Sequence, residues 1–392
     1  MSQAVETGDN RLTLREMTTV NDTKTRDGTR LSAMAQLRDF VPRMGRQYAS
    51  GRNYDRGPGH HVNVSQLSPY LRRRVITEKE VVAAALGAHG FDRAEKFIQE
   101  VLWRGYFKGW LERRPTVWAD YVSGLEADLD MLATDDALRE RTEAAEAGQT
   151  GLDFFDAWAR ELVETGYLHN HARMWFASIW IFTLGLPWRV GADFFFRHLL
   201  DGDPASNTCS WRWVAGLHTR GKTYEARAWN IAKFTDGRFA PDDRDLASDL
   251  RGLEDQEPDG LPPARPLRSP IAPERDVPTA LVLTEEDCRL EEFGLAALDI
   301  RGAAMLISSH LRSPRHVADH VAAFEKAALG DAVVRTGMEA EIIRADAPED
   351  LARWAEGRGA RQIVTAYVPT GPLADWIDTA RPALGARGIT LA

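Results

Sequence analysis

The chain has 392 residues, of which 44% are hydrophobic, and it carries a formal net charge of −9. That length suits two domains, or one large domain with an appendage, and the apolar content is sufficient for a buried core. The acidic balance argues against indiscriminate nucleic-acid binding, although it is compatible with a local basic face. The two cysteines are too few for a disulfide framework or for a four-cysteine metal or iron–sulfur site.

The sequence contains no apolar run as long as a membrane helix, and its polar N-terminus has no signal-peptide core. We therefore expect a soluble, cytoplasmic, monomeric protein with no membrane partner. Residues 1–30 are polar and weakly periodic, which is typical of a disordered arm.

Helix signals dominate residues 31–241, and this stretch predicts an all-helical domain. Thr77 and Glu80 have the spacing of a capping box, in which each side chain bonds the backbone N–H of the other residue. Asp92 and Glu95 have the same spacing ahead of a second helix.

Three stretches of this region have distinct characters. Residues 125–148 are helical but polar, and they predict an exposed connection. Residues 152–220 are apolar and aromatic, and they predict a buried helical core. Within 187–213, an amphipathic helix is followed by the turn formers Asp-Gly-Asp-Pro, and Pro204 is suited to open the next helix.

Beyond residue 241 the pattern changes. Residues 242–278 are dense in Pro, Asp, Glu and Arg and predict a linker. In residues 279–392 short apolar runs alternate with helical stretches, which predicts a small doubly wound parallel-sheet domain. The predicted strands are 279–283, 303–307, 339–343 and 362–368, and the predicted helices are 315–328, 349–356 and 373–384.

Four motifs follow one another between residues 30 and 240. They are SQLSPYL (65–71), QEVLWR (99–104), TGYLHNHARMWFAS (165–178) and the Trp-Arg helix with Asp-Gly-Asp and Trp-x-Trp (187–213). Together, and in this order, they resemble the DNA photolyase/cryptochrome family. The resemblance implies that residues 31–241 form an all-helical FAD-binding domain.

The stretch TALVLTEEDCRLEE, from residue 279 to 292, resembles the opening strand of the family's α/β antenna domain. The family normally places that domain before the flavin domain, so the resemblance implies an exchanged order here. The arginines of the family motif are mostly replaced, with Glu285 and Glu286 among the replacements. An unrelated small α/β domain is the alternative, and a second antenna chromophore is left open.

The resemblance also implies which residues hold FAD. Asn207 matches the position facing flavin N5, where an amide supports the reduced ring without titrating; Asn favours repair over photoreception. Asp201 and Asp203 match the pair at the ring edge and ribityl chain, and Arg173 matches the partner of Asp201. Outside the family pattern, Asn207 is typical of a cap and Asp-Gly-Asp of a turn. The other assigned cofactor positions are Tyr54, Ser65, Gln66, Leu67 and Ser68.

Five further positions match the cavity that receives a flipped pyrimidine dimer in the family's repair enzymes. They are Glu100, Trp103, Asn170, Met174 and Trp213. Tryptophans offer flat apolar walls, and the carboxyl and amide bond the edges of the extruded bases. Core packing is the alternative for Trp103, but a glutamate three residues earlier on the same helical face is an uncommon core neighbour.

Trp211 and Trp188 match the proximal and middle members of the family's electron-transfer chain. Residues 125–148, where the distal member should lie, contain no tryptophan. The candidates for a rerouted chain, each with core packing as the alternative, are Trp158, Trp175 and Trp180.

Arginines between residues 43 and 74 are balanced by Asp55 alone, and they predict a basic face. These arginines either contact DNA phosphates or hold a flavin diphosphate and helix ends. They are Arg43, Arg46, Arg52, Arg56, Arg72, Arg73 and Arg74.

The histidines give weaker signals. His171 stands where the family's repair enzymes often have arginine, which weakens an expected contact with the lesion or a phosphate. His60 and His61 are interpreted as solvated loop residues, and no metal is expected, because no carboxylate or thiol has suitable spacing from them.

The sequence therefore predicts a photolyase-like lyase that binds FAD and repairs cyclobutane pyrimidine dimers in UV-damaged DNA under blue light. A cryptochrome-like photoreceptor without repair activity is the alternative. A flavin-binding relic that has kept the fold without repair is the third hypothesis.

Overall fold

The computed structural model describes residues 27–248 and 250–392. The expected arm therefore lies outside the described residues up to position 26. Twelve α-helices occupy the first part of the described chain. They are α1 (Arg30–Phe40), α2 (Arg46–Gly51), α3 (Ser68–Arg72), α4 (Glu78–His89), α5 (Phe91–Glu112), α6 (Pro115–Thr134), α7 (Asp136–Glu146), α8 (Asp153–Thr165), α9 (Asn170–Ser178), α10 (Trp188–His198), α11 (Pro204–Val214) and α12 (Ala228–Phe234).

Local sequence signals fix several helix boundaries. The Thr77–Glu80 capping box is present at the start of α4, which confirms that prediction. Pro204 lies in the first turn of α11, as expected. The prediction of an Asp92–Glu95 capping box is wrong, because α5 already begins at Phe91. The residue before it is Gly90, whose positive φ of 70° suits glycine.

The charged stretch 125–148 is not an exposed connection. It forms the second half of α6 and the whole of α7, and both helices turn one apolar face inward. Leu125, Leu132, Leu138 and Ala145 are buried in the main helical core. The stretch is polar in its overall composition, but its apolar residues lie on one face of each helix.

The C-terminal part is a five-stranded parallel sheet, as the alternating pattern predicts. Its strand order is β3-β2-β1-β4-β5, so the chain extends to one side of β1 and then returns to the other. The strands are β1 (Pro278–Leu283), β2 (Asp299–Ile307), β3 (Glu341–Arg344), β4 (Gln362–Thr365) and β5 (Thr390–Leu391), and the helices are α13 (Asp319–Thr336), α14 (Pro348–Gly357) and α15 (Pro372–Gly385). β5 was not expected, because two residues carry no periodicity.

Alternate residues of β1 face two different cores. Leu281 and Leu283 join α13 and the N-terminal helices α1, α3, α4 and α5 in one continuous apolar cluster. Ala280 and Val282 face α14 and α15 in a second cluster. One face of the sheet thus shares its core with the helical part, while the proposed boundaries at 241/242 and 278/279 remain a proposal.

Among the described residues, no helix combines the length and the apolarity that a membrane crossing requires.

Phe324 of α13 tests whether the two parts unfold together. It is buried, packs against Tyr70 at a ring distance of 5.6 Å, and lies under the Arg73 guanidinium. Phe324→Ala should lower the free energy of unfolding by about 3–5 kcal/mol, because a large core side chain is lost. Urea unfolding followed by tryptophan fluorescence and by peptide-resolved hydrogen exchange should show one common, shifted transition.

The matched control is Val334→Ala, which alters an exposed residue of the same helix. It should change the free energy of unfolding by less than about 0.5 kcal/mol. A Phe324→Ala variant that destabilises the sheet peptides alone would contradict the shared core.

Candidate functional site

The centre of the candidate site is the turn at residues 201–203 that joins α10 to α11. Asp203 is the N-cap of α11, and its Oδ1 accepts a hydrogen bond from the Ser206 backbone N–H at 2.8 Å. Both turn aspartates are buried. Two carboxylates are thereby held in the interior, next to the positive end of a helix.

Asp201 is neutralised by arginines from two helices. Its Oδ2 lies 3.1 Å from Arg173 Nη2 and 3.9 Å from Arg104 Nη2. Burial by itself raises the pKa of Asp201, but Arg173, Arg104 and the Ser68 hydroxyl together lower it to about 2. The Arg173–Asp201 pair implied by the resemblance is present in this geometry.

Asp203 has three cationic neighbours. Its Oδ2 lies 3.4 Å from Lys108 Nζ, 3.6 Å from Arg72 Nε and 3.9 Å from Arg104 Nη1. Burial opposes ionisation, yet these three cations hold the pKa of Asp203 below its usual range. Both carboxylates of the turn are therefore charged at neutral pH.

The loop before α3 meets this turn. Gln66 has a positive φ of 51°, and the Leu67 N–H donates to Ser65 Oγ at 3.4 Å. Ser68 opens α3 and contacts Asp201 by its hydroxyl. The structure therefore brings the 65–68 loop against the aspartate turn, although the two lie more than 130 positions apart in the sequence.

Asn207 lies one turn into α11 and is buried. Its Nδ2 donates to the Ala192 carbonyl of α10 at 2.8 Å, which fixes the amide. Around it, several buried polar atoms have no hydrogen-bond partner within the described part of the chain. These atoms are Asp201 Oδ1, Asp203 Oδ2, Ser206 Oγ and Thr208 Oγ1. Such a set fits a polar cofactor with donors and acceptors of its own, since buried polar groups are normally paired.

Tyr54 does not join this set. Its ring packs edge-on against Phe234 of α12 at 5.2 Å, and its carbonyl accepts from Asn63. A tyrosine that the sequence reasoning missed, Tyr48, is buried close to the Arg52–Glu100 ion pair. Burial, and then the Glu100 carboxylate, raise the pKa of Tyr48 well above its ordinary value. The sequence signal that could have indicated this contact is the four-residue spacing between Tyr48 and Arg52, which is about one helical turn.

The five residues assigned to a lesion cavity lie on three helices. α5 carries Glu100 and Trp103, α9 carries Asn170 and Met174, and α11 carries Trp213. Both α5 and α9 pack against α11. The five assigned residues therefore lie on α11 and on two helices that each pack against it.

The local contacts of these residues differ. Trp103 is 48% exposed and stacks on Phe107, and Trp213 is 37% exposed and packs against Tyr224. Glu100 is bound by Arg52. Because both tryptophans are partly exposed, they are better placed to bind a flat apolar ligand than to fill the protein core.

The tryptophans assigned to electron transfer have different aromatic neighbours, and their order in a chain stays a prediction. Trp211 is buried, and its tryptophan contact is Trp180, edge-on at 6.4 Å. Trp188 contacts Tyr121 at 5.9 Å instead. Trp158 and Trp175 stack on each other at 5.4 Å. Trp180 thus remains a candidate member of a rerouted chain, and its role stays a prediction.

The basic face predicted for the 43–74 arginines is wrong for the last three. Arg72 and Arg73 are fully buried, and Arg74 pairs with Asp287 at 2.7 Å and with Glu292 at 3.3 Å. These guanidinium groups bind carboxylates of the C-terminal part, so they do not offer cations to DNA.

The interpretation of His61 as a solvated residue is also wrong, whereas His60 is exposed. His61 is buried, with Nε2 2.6 Å from Glu161 Oε1 and Nδ1 3.8 Å from Asp55 Oδ1. These three residues offer ligand atoms within 4.8 Å of one another. Asp55, however, is already neutralised by Arg238 at 2.6 Å and accepts from Trp158 at 2.9 Å. The cluster ties the 55–61 loop to α8, a contact that sequence spacing does not reveal.

His171 stacks on the Trp175 ring at 4.0 Å, and its Nδ1 lies 3.0 Å from the Asn53 carbonyl. Burial lowers the pKa of His171 below its ordinary value. The imidazole is therefore neutral at physiological pH and does not replace the positive charge of an arginine.

Comparison with known proteins finds similarity within the helical region. Residues 97–242 match the family model of the FAD binding domain of DNA photolyase. A deoxyribodipyrimidine photo-lyase of Streptomyces griseus is 34% identical over 176 residues, which are 42% of this chain and 37% of that protein. A cryptochrome DASH of Gloeobacter violaceus is 35% identical over 170 residues, covering 43% of this chain and 31% of its own.

Among solved structures, a bacterial class III photolyase from Agrobacterium tumefaciens is similar at 28% identity, with a TM-score of 0.42. That similarity covers 53% of this chain and 43% of the photolyase. The chain spans less than half the length of each of these three relatives.

The ionised Asp201 predicts a specific pH dependence of stability. Its folded-state pKa of about 2 lies below the ordinary value of 3.8, so its contribution is present above that value and is lost as the pH falls towards 2. These two values correspond to about 1 kcal/mol between pH 5 and pH 3. In Asp201→Asn, the free energy of unfolding should fall by about 1 kcal/mol less over that interval than in the wild type, as measured by urea titration.

The exposed Asp378, which pairs with Arg381, supplies the control. Asp378→Asn should keep the wild-type pH dependence, because exposed ion pairs contribute little to stability. An unchanged pH dependence in Asp201→Asn would show that its carboxylate is not selectively stabilised.

Proposed function

Because the helical region of this chain belongs to the photolyase/cryptochrome family, we propose that the protein binds FAD and repairs cyclobutane pyrimidine dimers in DNA under blue light. The observation that carries the proposal is the aspartate turn. It combines two buried, ionised carboxylates, a fixed amide at Asn207 and the hydroxyl groups of Ser206 and Thr208, which have no hydrogen-bond partner among the described residues.

These residues fit the polar parts of FAD. The family resemblance assigns the 65–68 loop, which lies against the aspartate turn, to the FAD diphosphate. Ser206 and Thr208 offer hydroxyl groups, and Asp201 and Asp203 offer acceptor oxygens next to them. The residues proposed to hold the cofactor are Ser65, Gln66, Leu67, Ser68, Arg173, Asp201, Asp203 and Asn207. Tyr54 keeps its assignment from the resemblance alone.

Reduced FAD, when bound and excited by blue light, supplies the electron that opens the cyclobutane ring and receives it back afterwards. The protein's part is to position and to exclude water. Asn207 would offer a bound flavin an amide that does not titrate, and its hydrogen bond to the Ala192 carbonyl fixes the orientation of that amide. Arg173 keeps Asp201 ionised, so the charge near the cofactor stays constant across neutral pH.

The extruded dimer is proposed to lie between the exposed tryptophans of α5 and α11. Trp103 and Trp213 supply flat walls, and Glu100 and Asn170 bond the edges of the pyrimidines. Arg52 holds the Glu100 carboxylate in place. Met174, on the same helix as Asn170, completes the apolar lining.

The deciding experiment is light-dependent repair by purified, chemically reduced protein. The substrate is an oligonucleotide with one cyclobutane dimer. We expect restored thymines under blue light and none in the dark, since the flavin must be excited before it donates an electron. Flavin-loaded protein that fails in both conditions would contradict the repair function.

A cryptochrome-like photoreceptor is the second candidate function. It is favoured because several cationic side chains expected to contact DNA are neutral or already paired with carboxylates. His171 is neutral, and Arg72, Arg73 and Arg74 bind carboxylates, so the helical part offers fewer charges to DNA phosphates than its sequence suggests. Light-driven flavin reduction without repair in the same assay would support this candidate.

Trp103 separates lesion binding from flavin binding. Trp103→Ala should weaken binding of the dimer-containing oligonucleotide by roughly tenfold, because an aromatic wall worth about 1–3 kcal/mol is lost. Flavin content should remain that of the wild type. Both are measured on one preparation, by fluorescence anisotropy and by visible absorbance.

Phe91→Ala is the matched control, since Phe91 is an exposed aromatic residue on the same helix, 12 positions earlier. It should leave oligonucleotide affinity unchanged. Loss of flavin together with lesion binding in Trp103→Ala would overturn the role assigned to Trp103.

A further inference from the structure

The carbonyl groups that lead into the aspartate turn are bound by three buried arginines. Arg73 Nη1 donates to the Leu200 carbonyl at 2.6 Å, and Arg72 Nε donates to the Gly202 carbonyl at 2.9 Å. Arg312, which follows β2 in the C-terminal part, donates to the Leu199 carbonyl at 3.1 Å. The backbone immediately before and within the turn is therefore fixed by guanidinium groups.

The position of the Arg312 guanidinium leaves no room for a side chain at residue 202, where the sequence has glycine. A Cβ atom at this position would lie 2.6 Å from Arg312 Nη1 and 3.1 Å from the Leu199 carbonyl. The guanidinium of the C-terminal part thus occupies the space that a side chain at the centre of the turn would fill.

One carboxylate lies among all three arginines. Glu285, directly after β1, lies 2.8 Å from Arg73, 3.2 Å from Arg312 and 3.5 Å from Arg72. Arg72 has further acidic neighbours, Glu286 at 2.6 Å and Asp203 at 3.6 Å. For Arg73 and Arg312, Glu285 is the one carboxylate within 4.0 Å among the described residues.

A further buried carboxyl group close to Glu285 is already engaged by the backbone. Glu325 of α13 accepts hydrogen bonds from the backbone N–H groups of Ser308 at 2.7 Å and Ser309 at 3.1 Å. Burial, and then the Glu285 carboxylate, raise the pKa of Glu325. It is therefore a poor substitute for Glu285 as the counterion of Arg73 and Arg312.

We propose that Glu285 is a positioning residue for the flavin site: by neutralising Arg72, Arg73 and Arg312, it lets the C-terminal part hold the aspartate turn in its binding geometry. The inference rests on the proposed function insofar as the turn binds FAD. An isolated buried guanidinium is costly, because its charge is removed from water without compensation. Loss of the carboxylate would push Arg73 and Arg312 towards solvent and release the carbonyls of residues 199–202.

The test is Glu285→Gln, which keeps the shape of the side chain and removes its charge. In amide hydrogen exchange on the full-length protein, peptides that cover residues 199–207 should exchange at least tenfold faster than in the wild type. The dissociation constant for FAD, from flavin fluorescence, should rise at least tenfold. Peptides from α14, whose apolar residues lie in a cluster that contains no residue of the turn, should keep wild-type exchange.

Two further variants make the result specific. Glu341→Gln removes a carboxylate of an exposed ion pair with Arg358 in the same sheet, and it should leave both readouts unchanged. Glu285→Asp keeps the charge on a shorter side chain, and it should fold even if Glu285→Gln does not. Exchange should accelerate at the same residues but less than in Glu285→Gln, and the dissociation constant for FAD should stay within about threefold of the wild-type value.

Each outcome decides one point. Unchanged exchange at residues 199–207, or equal acceleration throughout the helices, would overturn the positioning role. Wild-type protein that binds no FAD would instead contradict the proposed function, while the exchange arm would still test Glu285.

Discussion

The neutralisation of buried charge around the aspartate turn is the constraint on which the site depends. Asp201 and Asp203 are ionised in the interior only because Arg173, Arg104 and Lys108 lie against them. Arg72 extends this arrangement to Glu285 and Glu286 of the C-terminal part. Removing one member leaves an uncompensated charge on its neighbours, so the site and the contact between the two parts depend on each other.

This dependence gives the C-terminal part a structural role that needs no antenna pigment. Its first strand contributes Leu281 and Leu283 to the core shared with α1, α3, α4 and α5. The residues that follow the strand contribute the two glutamates. The carboxyl end of β1, next to β4 where the strand order reverses, is the usual ligand-binding edge of an open parallel sheet. In this protein, that edge faces the helical part: Gly371, after β4, approaches Pro204 so closely that a Cβ atom would lie 2.6 Å from the proline ring.

Sequence patterns predicted the structural features that depend on residues close together in the chain. The Thr77–Glu80 capping box, the helix opened by Pro204 and the parallel strands all follow from spacing within a few residues. The motif resemblance also indicated the Arg173–Asp201 pair, which the structure contains.

The predictions that failed concern partners distant in sequence. A run of arginines was interpreted as a basic face, but Arg72 and Arg73 bind carboxylates more than 200 positions away. His61 was interpreted as solvated, yet it contacts Glu161, which lies 100 positions later in the sequence. Local composition does not show which long-range partner will neutralise a charge, because only the folded chain brings the partners together.

The pairing of arginines with carboxylates also affects how the protein would bind DNA. Of the arginines between residues 43 and 74, the last three are committed to carboxylates of the C-terminal part, and Arg52 is committed to Glu100. Fewer phosphates can then be neutralised, so the proposed DNA contact depends less on counterion release than a basic face would imply. What the helices leave exposed near the site are aromatic side chains, Trp103, Tyr106 and Trp213. Under the proposed repair function, stacking on extruded bases would be the main interaction of this surface, and it would favour a damaged, poorly stacked site over intact duplex.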